Sequence, residues 1–84
     1  MAIIRTASDL GLVIRQRRKQ QNLTQGALAK RVGVSRQWIV SIEQGGNRTE
    51  LGRILRVLNT LGLVVQVEPQ PEDPLFDMLF GRDS

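Results

Sequence analysis

The stretch that most constrains this chain runs from Thr24 to Gln44, TQGALAKRVGVSRQWIVSIEQ. Thr24 and Ser35 each stand one residue before an apolar-periodic run, where a side-chain oxygen can accept from the free amides of a helix's first turn. Ala27, Leu28 and Val32 fall close to one stripe of the first run, and Ile39 and Ile42 lie three apart on the second. Gly33, between the two runs, adopts a positive φ without the cost a Cβ would impose, and Val34 can plug the angle between the helices. The stretch therefore predicts two short helices joined by a glycine turn, each with one buried side.

In such a helix-turn-helix the second helix is offered to the major groove of DNA. Its outer edge carries Ser35, Arg36, Gln37 and, one turn on, Ser41. Arg can donate two hydrogen bonds to guanine O6 and N7, and Gln can pair with adenine N6 and N7. Alone, either side chain is an ordinary solvated surface residue; the caps, the turn and the spacing together favour base reading by Arg36, Gln37 and Ser41. Trp38 has two readings, core packing or a contact with sugar or a thymine methyl, and partial burial at the rim of the DNA surface is the expectation. Thr24, Gln25, Ser35, Trp38 and Arg48 are the candidates for the DNA backbone.

The segment Leu23 to Gly45, LTQGALAKRVGVSRQWIVSIEQG, resembles the Cro/C1-type (XRE) helix-turn-helix family. That resemblance implies that Gln25 bonds a phosphate and braces the reading residues, and that Arg36, Gln37 and Ser41 face bases. It also implies an ion pair between Glu43, at the end of the recognition helix, and Arg18 in the preceding helix. Read as chemistry, a carboxylate beside a helix end could act as a general acid or base, but such work needs a second titratable partner and a cleft. Neither is visible, so a structural ion pair and no enzymatic role are expected.

At 84 residues the chain has room for one domain with a small core, so a partner subunit is expected to contribute stability. Cysteine and histidine are both absent, which excludes disulfides, thiolate or imidazole metal sites and Ser-His or Cys-His catalysis; no cofactor is expected. No apolar run approaches the roughly 20 residues of a membrane span, and MAIIRTASD lacks a signal-peptide core, so the cytoplasm is the expected compartment. The net charge of +4 hides an asymmetry: residues 1–60 hold eleven Lys and Arg against three Asp and Glu, residues 61–84 one against five. A basic body implies a polyanionic partner.

Met1 to Thr6 reads as a frayed end or a small strand. Ser8 is the expected cap of a helix reaching about Gln21, with Asp9 in its first turn and Leu10, Val13, Ile14 and the stem of Arg17 or Arg18 inside. Arg15, Arg17, Arg18 and Lys19 crowd its end, where cations suit the helix dipole, and Asn22 suits the left-handed residue that closes it. Gly45 is expected to stop the recognition helix. Thr49 is the expected cap of a further helix with Glu50 in its first turn and a stripe of Leu51, Ile54, Leu55, Leu58 and Leu61. Gly52 inside it suggests close approach by another backbone. Gly62 ends that helix.

Leu63, Val64, Val65, Gln66 and Val67, bounded by Gly62 and Pro69, read as the one strand. A strand needs a partner, and its two-fold copy in a homodimer is the simplest, with pairing to Ile3 and Ile4 as the alternative. The order of lead, helix-turn-helix and LNTLGLVVQVEP resembles the HipB-type antitoxins over about Thr6 to Pro69. That resemblance implies a dimer formed through the C-terminal strand, repression of its own operon and a HipA-type kinase toxin as partner. Pro69, Pro71 and Pro74 with Glu72 and Asp73 make an acidic linker, after which Leu75, Phe76, Leu79 and Phe80 share one helical face. This piece reads as a docking segment for another protein or a cover for the core, with a disordered tail as the alternative.

The expected architecture is all-α, a lambda-repressor-like helix-turn-helix domain of four to five helices with one C-terminal dimerising strand. Residues 1–68 form the DNA-binding and dimerisation domain and residues 69–84 the tail. The expected function is a repressor binding a palindromic operator as a homodimer and acting as the antitoxin of a HipA-type module. The alternatives are a repressor with no toxin partner and a protein-interaction adaptor.

Overall fold

The structure, a computed structural model, describes residues 3–46, 48–70 and 74–80. Five helices follow one another among the described residues: α1 (Ala7–Gln20), α2 (Gln25–Val32), α3 (Arg36–Glu43), α4 (Leu51–Thr60) and α5 (Pro74–Phe80). The architecture is all-α, with α3 packed on α1 and α2, and α4 on α2.

The cap of α1 is Thr6 and not Ser8. The Thr6 hydroxyl accepts from the Asp9 amide at 3.1 Å, and the Asp9 carboxylate accepts from the amides of Thr6 (3.1 Å) and Arg5 (2.9 Å). This reciprocal capping box satisfies three amides, which Ser8, already inside the helix, could not do. The Arg5 amide first, then that of Thr6, holds the Asp9 carboxyl below its ordinary value against the opposing effect of burial. Because the folded value is the lower one, the box is at full strength above the unfolded carboxylate range and weakens as pH falls through the folded value.

Gly11, Ile14 and Arg18 form the buried side of α1. At Gly11 a Cβ would press on the Ile42 carbonyl oxygen and come within 2.8 Å of that of Glu43, so this glycine lets α1 lie directly against the end of α3. Asn22 closes α1 at φ 58°, Gly33 closes α2 at φ 87°, and Gly45 follows α3 at φ 90°. Thr24 and Ser35 cap α2 and α3 by accepting from Ala27 and Trp38 at 3.0 Å each.

The start of α4 departs from expectation. Its N-cap is Glu50, without a side-chain cap bond, while the Thr49 hydroxyl is buried with no hydrogen-bond partner among the described residues. The buried stripe is Ile54, Val57, Leu58 and Leu61; Leu51 is 70% exposed and Leu55 40%. At 3.6 residues per turn Leu55 lies about 110° round from the centre of that stripe, which Val57 completes instead. Gly52 meets nothing within 4 Å, so no backbone approaches it among the described residues. The core gathers Ile14 of α1, Leu28, Ala29 and Val32 of α2, Ile39 and Ile42 of α3 and the α4 stripe.

Leu63 packs on this core, and the Leu61 carbonyl accepts from Arg17 Nε and Gln21 Nε2 at 2.9 Å each, which fastens the end of α4 to the end of α1. Beyond, residues 63–70 form no strand, and Val64 and Val67 are 82% and 90% exposed. The strand expected over Leu63 to Val67 has no ladder here, because a single chain offers it no partner backbone and Ile3 and Ile4, both exposed, do not pair with it. In α5, Leu75, Met78 and Leu79 are exposed. The side chains of Phe76 and Phe80, and residues Asn47, Pro71, Glu72 and Asp73, lie outside the described residues.

Candidate nucleic-acid interface

The surface around α2, the turn and α3 is built outward from a buried ion pair. Arg18 of α1 donates to Glu43 of α3 from Nε at 2.6 Å and from Nη2 at 3.0 Å, with the two side chains 8% and 3% exposed. The fork-on-carboxylate geometry is the strong form of this contact, and Arg18 spends Nη1 on the Leu23 carbonyl at 2.8 Å. Gln25, the first residue of α2, donates from Nε2 to Glu43 Oε1 at 3.2 Å, and its own Oε1 accepts from Arg36 Nη2 at 3.5 Å. A chain of contacts thus runs from the buried pair through Gln25 to the first residue of α3. Both oxygens of Glu43 are engaged.

Along α3, Ile39 and Ile42 are buried and Trp38 is half-buried against the core, while Arg36, Gln37 and Ser41 are exposed. Helical geometry puts the first two on the opening turn and Ser41 one turn further along. Thr24 and Ser35, both exposed, use their oxygens to accept helix amides, which leaves each O–H free to donate outward. Arg48 is exposed in the loop after α3. Leu63 to Val67 and α5 follow α4 and take no part in this cluster of contacts.

Two residues near the ion pair have no place in the expected site. Arg15 and Gln44 line a recess together with Arg18, Gln25 and Glu43. The i, i+3 spacing of Arg15 and Arg18 on α1 is the signal that could have found the first, since it puts both on neighbouring positions of one face. Elsewhere Arg56 Nη1 donates to the Val32 carbonyl at 3.1 Å, closing the open end of α2. Among the described residues no group of acidic side chains could hold a metal ion, and no helix is long and apolar enough to cross a membrane.

Residues 9–68 match the sequence model of a helix-turn-helix domain family. The chain is 41% identical over 64 residues to the HTH-type transcriptional regulator y4mF of Sinorhizobium fredii, covering 76% of this chain and 84% of that one. The chain belongs to the helix-turn-helix transcriptional regulators. Among solved members, HipB in its O4 20mer complex and a chain of the HipA-HipB-O2-O3 complex each superpose with a TM-score of 0.74 at 25% identity, covering 82% of this chain and 97% of theirs. The restriction-modification controller protein C.AhdI of Aeromonas hydrophila is similar at TM-score 0.63 and 26% identity, over 69% of this chain and 84% of that one. The resemblance to the XRE-type helix-turn-helix proteins holds in family and in fold.

Proposed function

We propose that this regulator is a sequence-specific DNA-binding repressor. It binds a palindromic operator as a homodimer and serves as the antitoxin of a HipA-type toxin-antitoxin module that controls its own operon. The observation that carries the DNA reading is the exposed edge of α3, where Arg36, Gln37 and Ser41 face outward from a helix whose other side is locked into the core. In this reading those three side chains touch bases, while Thr24, Gln25, Ser35, Trp38 and Arg48 touch the backbone and set register. Two copies related by a two-fold axis place their α3 helices in successive major grooves, roughly 34 Å apart. Leu63 to Val67 of the two copies supply the antiparallel pairing that one chain lacks. Leu75, Phe76, Leu79 and Phe80 supply a docking face for the toxin.

The antitoxin part is supported by the similarity to HipB chains solved with a 20mer and with HipA. The similarity to C.AhdI, a restriction-modification controller, favours as a second reading a repressor without a toxin partner. Co-purification with the product of the adjacent gene distinguishes the two. For DNA reading, the test compares wild type and Arg36→Ala on the duplex upstream of the chain's own gene and on a random duplex. A loss of about 1–3 kcal/mol on the first with little change on the second is expected. Equal weakening on both would assign Arg36 to phosphate.

A further inference from the structure

We propose that the recess between α1 and the end of α3 seats one phosphate of the DNA backbone, with Arg15 and Gln44 as its donors. The inference rests on the DNA-binding reading above and adds to it a contact beside Gln25, which lines the recess and also touches Arg36.

Five side chains line the recess: Arg15, Arg18, Gln25, Glu43 and Gln44. Three of them are already committed. Glu43 takes two hydrogen bonds from Arg18 and one from Gln25, and Arg18 gives its remaining nitrogen to the Leu23 carbonyl. The Glu43 carboxylate is therefore neutralised in place, so it neither offers a cation an open ligand set nor faces an anion as a bare charge. Arg15 and Gln44 are different. Both are exposed, and neither side chain makes a hydrogen bond or an ion pair among the described residues.

Two guanidinium groups against one carboxylate leave the recess with a net charge of +1, and its uncommitted donors are one guanidinium and one carboxamide. That combination suits a tetrahedral oxyanion: the planar fork of Arg15 matches two phosphate oxygens, and Gln44 can donate to a third position. The location argues for a phosphate that belongs to DNA. Gln25 forms one wall of the recess and also touches Arg36, so an anion held there is fixed one side chain away from the start of α3. A backbone phosphate in that position would set the depth and register of α3 in the groove without reading sequence.

The same chemistry could come from free phosphate, and the experiment has an arm for each source. Binding of a random-sequence duplex and of the duplex upstream of the chain's own gene is measured against salt for wild type, Arg15→Ala, Arg15→Lys and Gln44→Ala. Inorganic phosphate is titrated into the wild type at constant ionic strength with the Arg15 and Gln44 side-chain resonances followed by NMR.

For Arg15→Ala the expected result is equal weakening on both duplexes. Its log-log salt slope should be shallower by about 1.8, about 0.9 for each subunit of the dimer, so that the wild-type advantage shrinks about 12-fold for each fourfold rise in salt. Arg15→Lys should restore the slope. Gln44→Ala should lower affinity on both duplexes without changing the slope, because no counterion-releasing charge is lost. Inorganic phosphate should shift both resonances only weakly and without saturating.

An unchanged slope in Arg15→Ala, with wild type still binding DNA, overturns the inference and leaves the DNA reading standing. Weakening confined to one duplex makes Arg15 a base reader and also overturns it. Saturable binding of inorganic phosphate assigns the recess to the free ion instead. Absence of salt-dependent binding of either duplex by wild type removes both readings together.

Discussion

Between α1 and α3 the chain meets itself at every turn. Gly11 lies against two α3 carbonyls, Arg18 forks onto Glu43, and Gly45 abuts Ser8 so closely that a Cβ there would lie 2.6 Å from the Ser8 hydroxyl oxygen. Past Gly62 the described chain turns its β-branched side chains outward: Val64, Val65 and Val67 are all more than half exposed, and no strand pairing satisfies the backbone. The first region is complete within one molecule, and its buried charges and carbonyls find their partners in the same chain. The second has the composition of an interior and the surroundings of a surface. Nothing among the described residues covers those valines.

That contrast can be broken at either end. The largest effect is expected at the closed end. Arg18→Ala leaves Glu43 as an uncompensated carboxylate in a nearly sealed position and should cost about 3–5 kcal/mol in urea unfolding. A loss below 1 kcal/mol would mean that water reaches the pair and that the hub is not what joins α1 to α3. At the open end, Val65→Lys should raise the dimer dissociation constant more than tenfold in sedimentation equilibrium, about 1.4 kcal/mol, by introducing a charge where strands pair. Should wild type and variant both remain monomeric at every concentration, the pairing of Leu63 to Val67 across a two-fold axis is wrong.

The smallest effect is the most diagnostic of the surface between these regions. Gly52→Ala should stabilise the protein by about 0.5–1 kcal/mol in thermal or urea unfolding, since a Cβ there meets only open space and glycine is a poor helix residue. Destabilisation would show that another backbone does approach α4 there in the assembled protein.

The same contrast explains which features the amino-acid sequence makes legible. The caps at Thr24 and Ser35 and the left-handed residues Asn22, Gly33 and Gly62 depend only on neighbours a few positions away, and each can be read from residue type and order. A hydroxyl in isolation misleads: Ser8 has the residue type of a cap, yet Thr6 closes a reciprocal box with Asp9, and the start of α4 passes over Thr49. The apolar stripe of α4 is misjudged at Leu51 and Leu55 because periodicity gives a face its width without giving its direction. Pattern along the chain can put Arg15 on the face of Arg18, but the close contact at Gly11 and the approach of Gln44 to Arg15 depend on how α1 meets α3. For the candidate site, the placement of Arg36, Gln37 and Ser41 on one outward edge follows from helix spacing. The bracing of Arg36 by Gln25 follows from the family resemblance, and the bond from Gln25 to Glu43 required the fold.

In the proposed function the outward edge of α3 holds the DNA. The most direct measurement is an NMR titration of the protein with the duplex upstream of its own gene, following backbone amides and the Arg36 and Gln37 side chains. The largest shifts are expected from Ser35 to Ser41 and at Thr24 and Gln25, weakening steeply as salt rises. Shifts concentrated on α4 or on residues 63–70, with α3 unmoved, would contradict it.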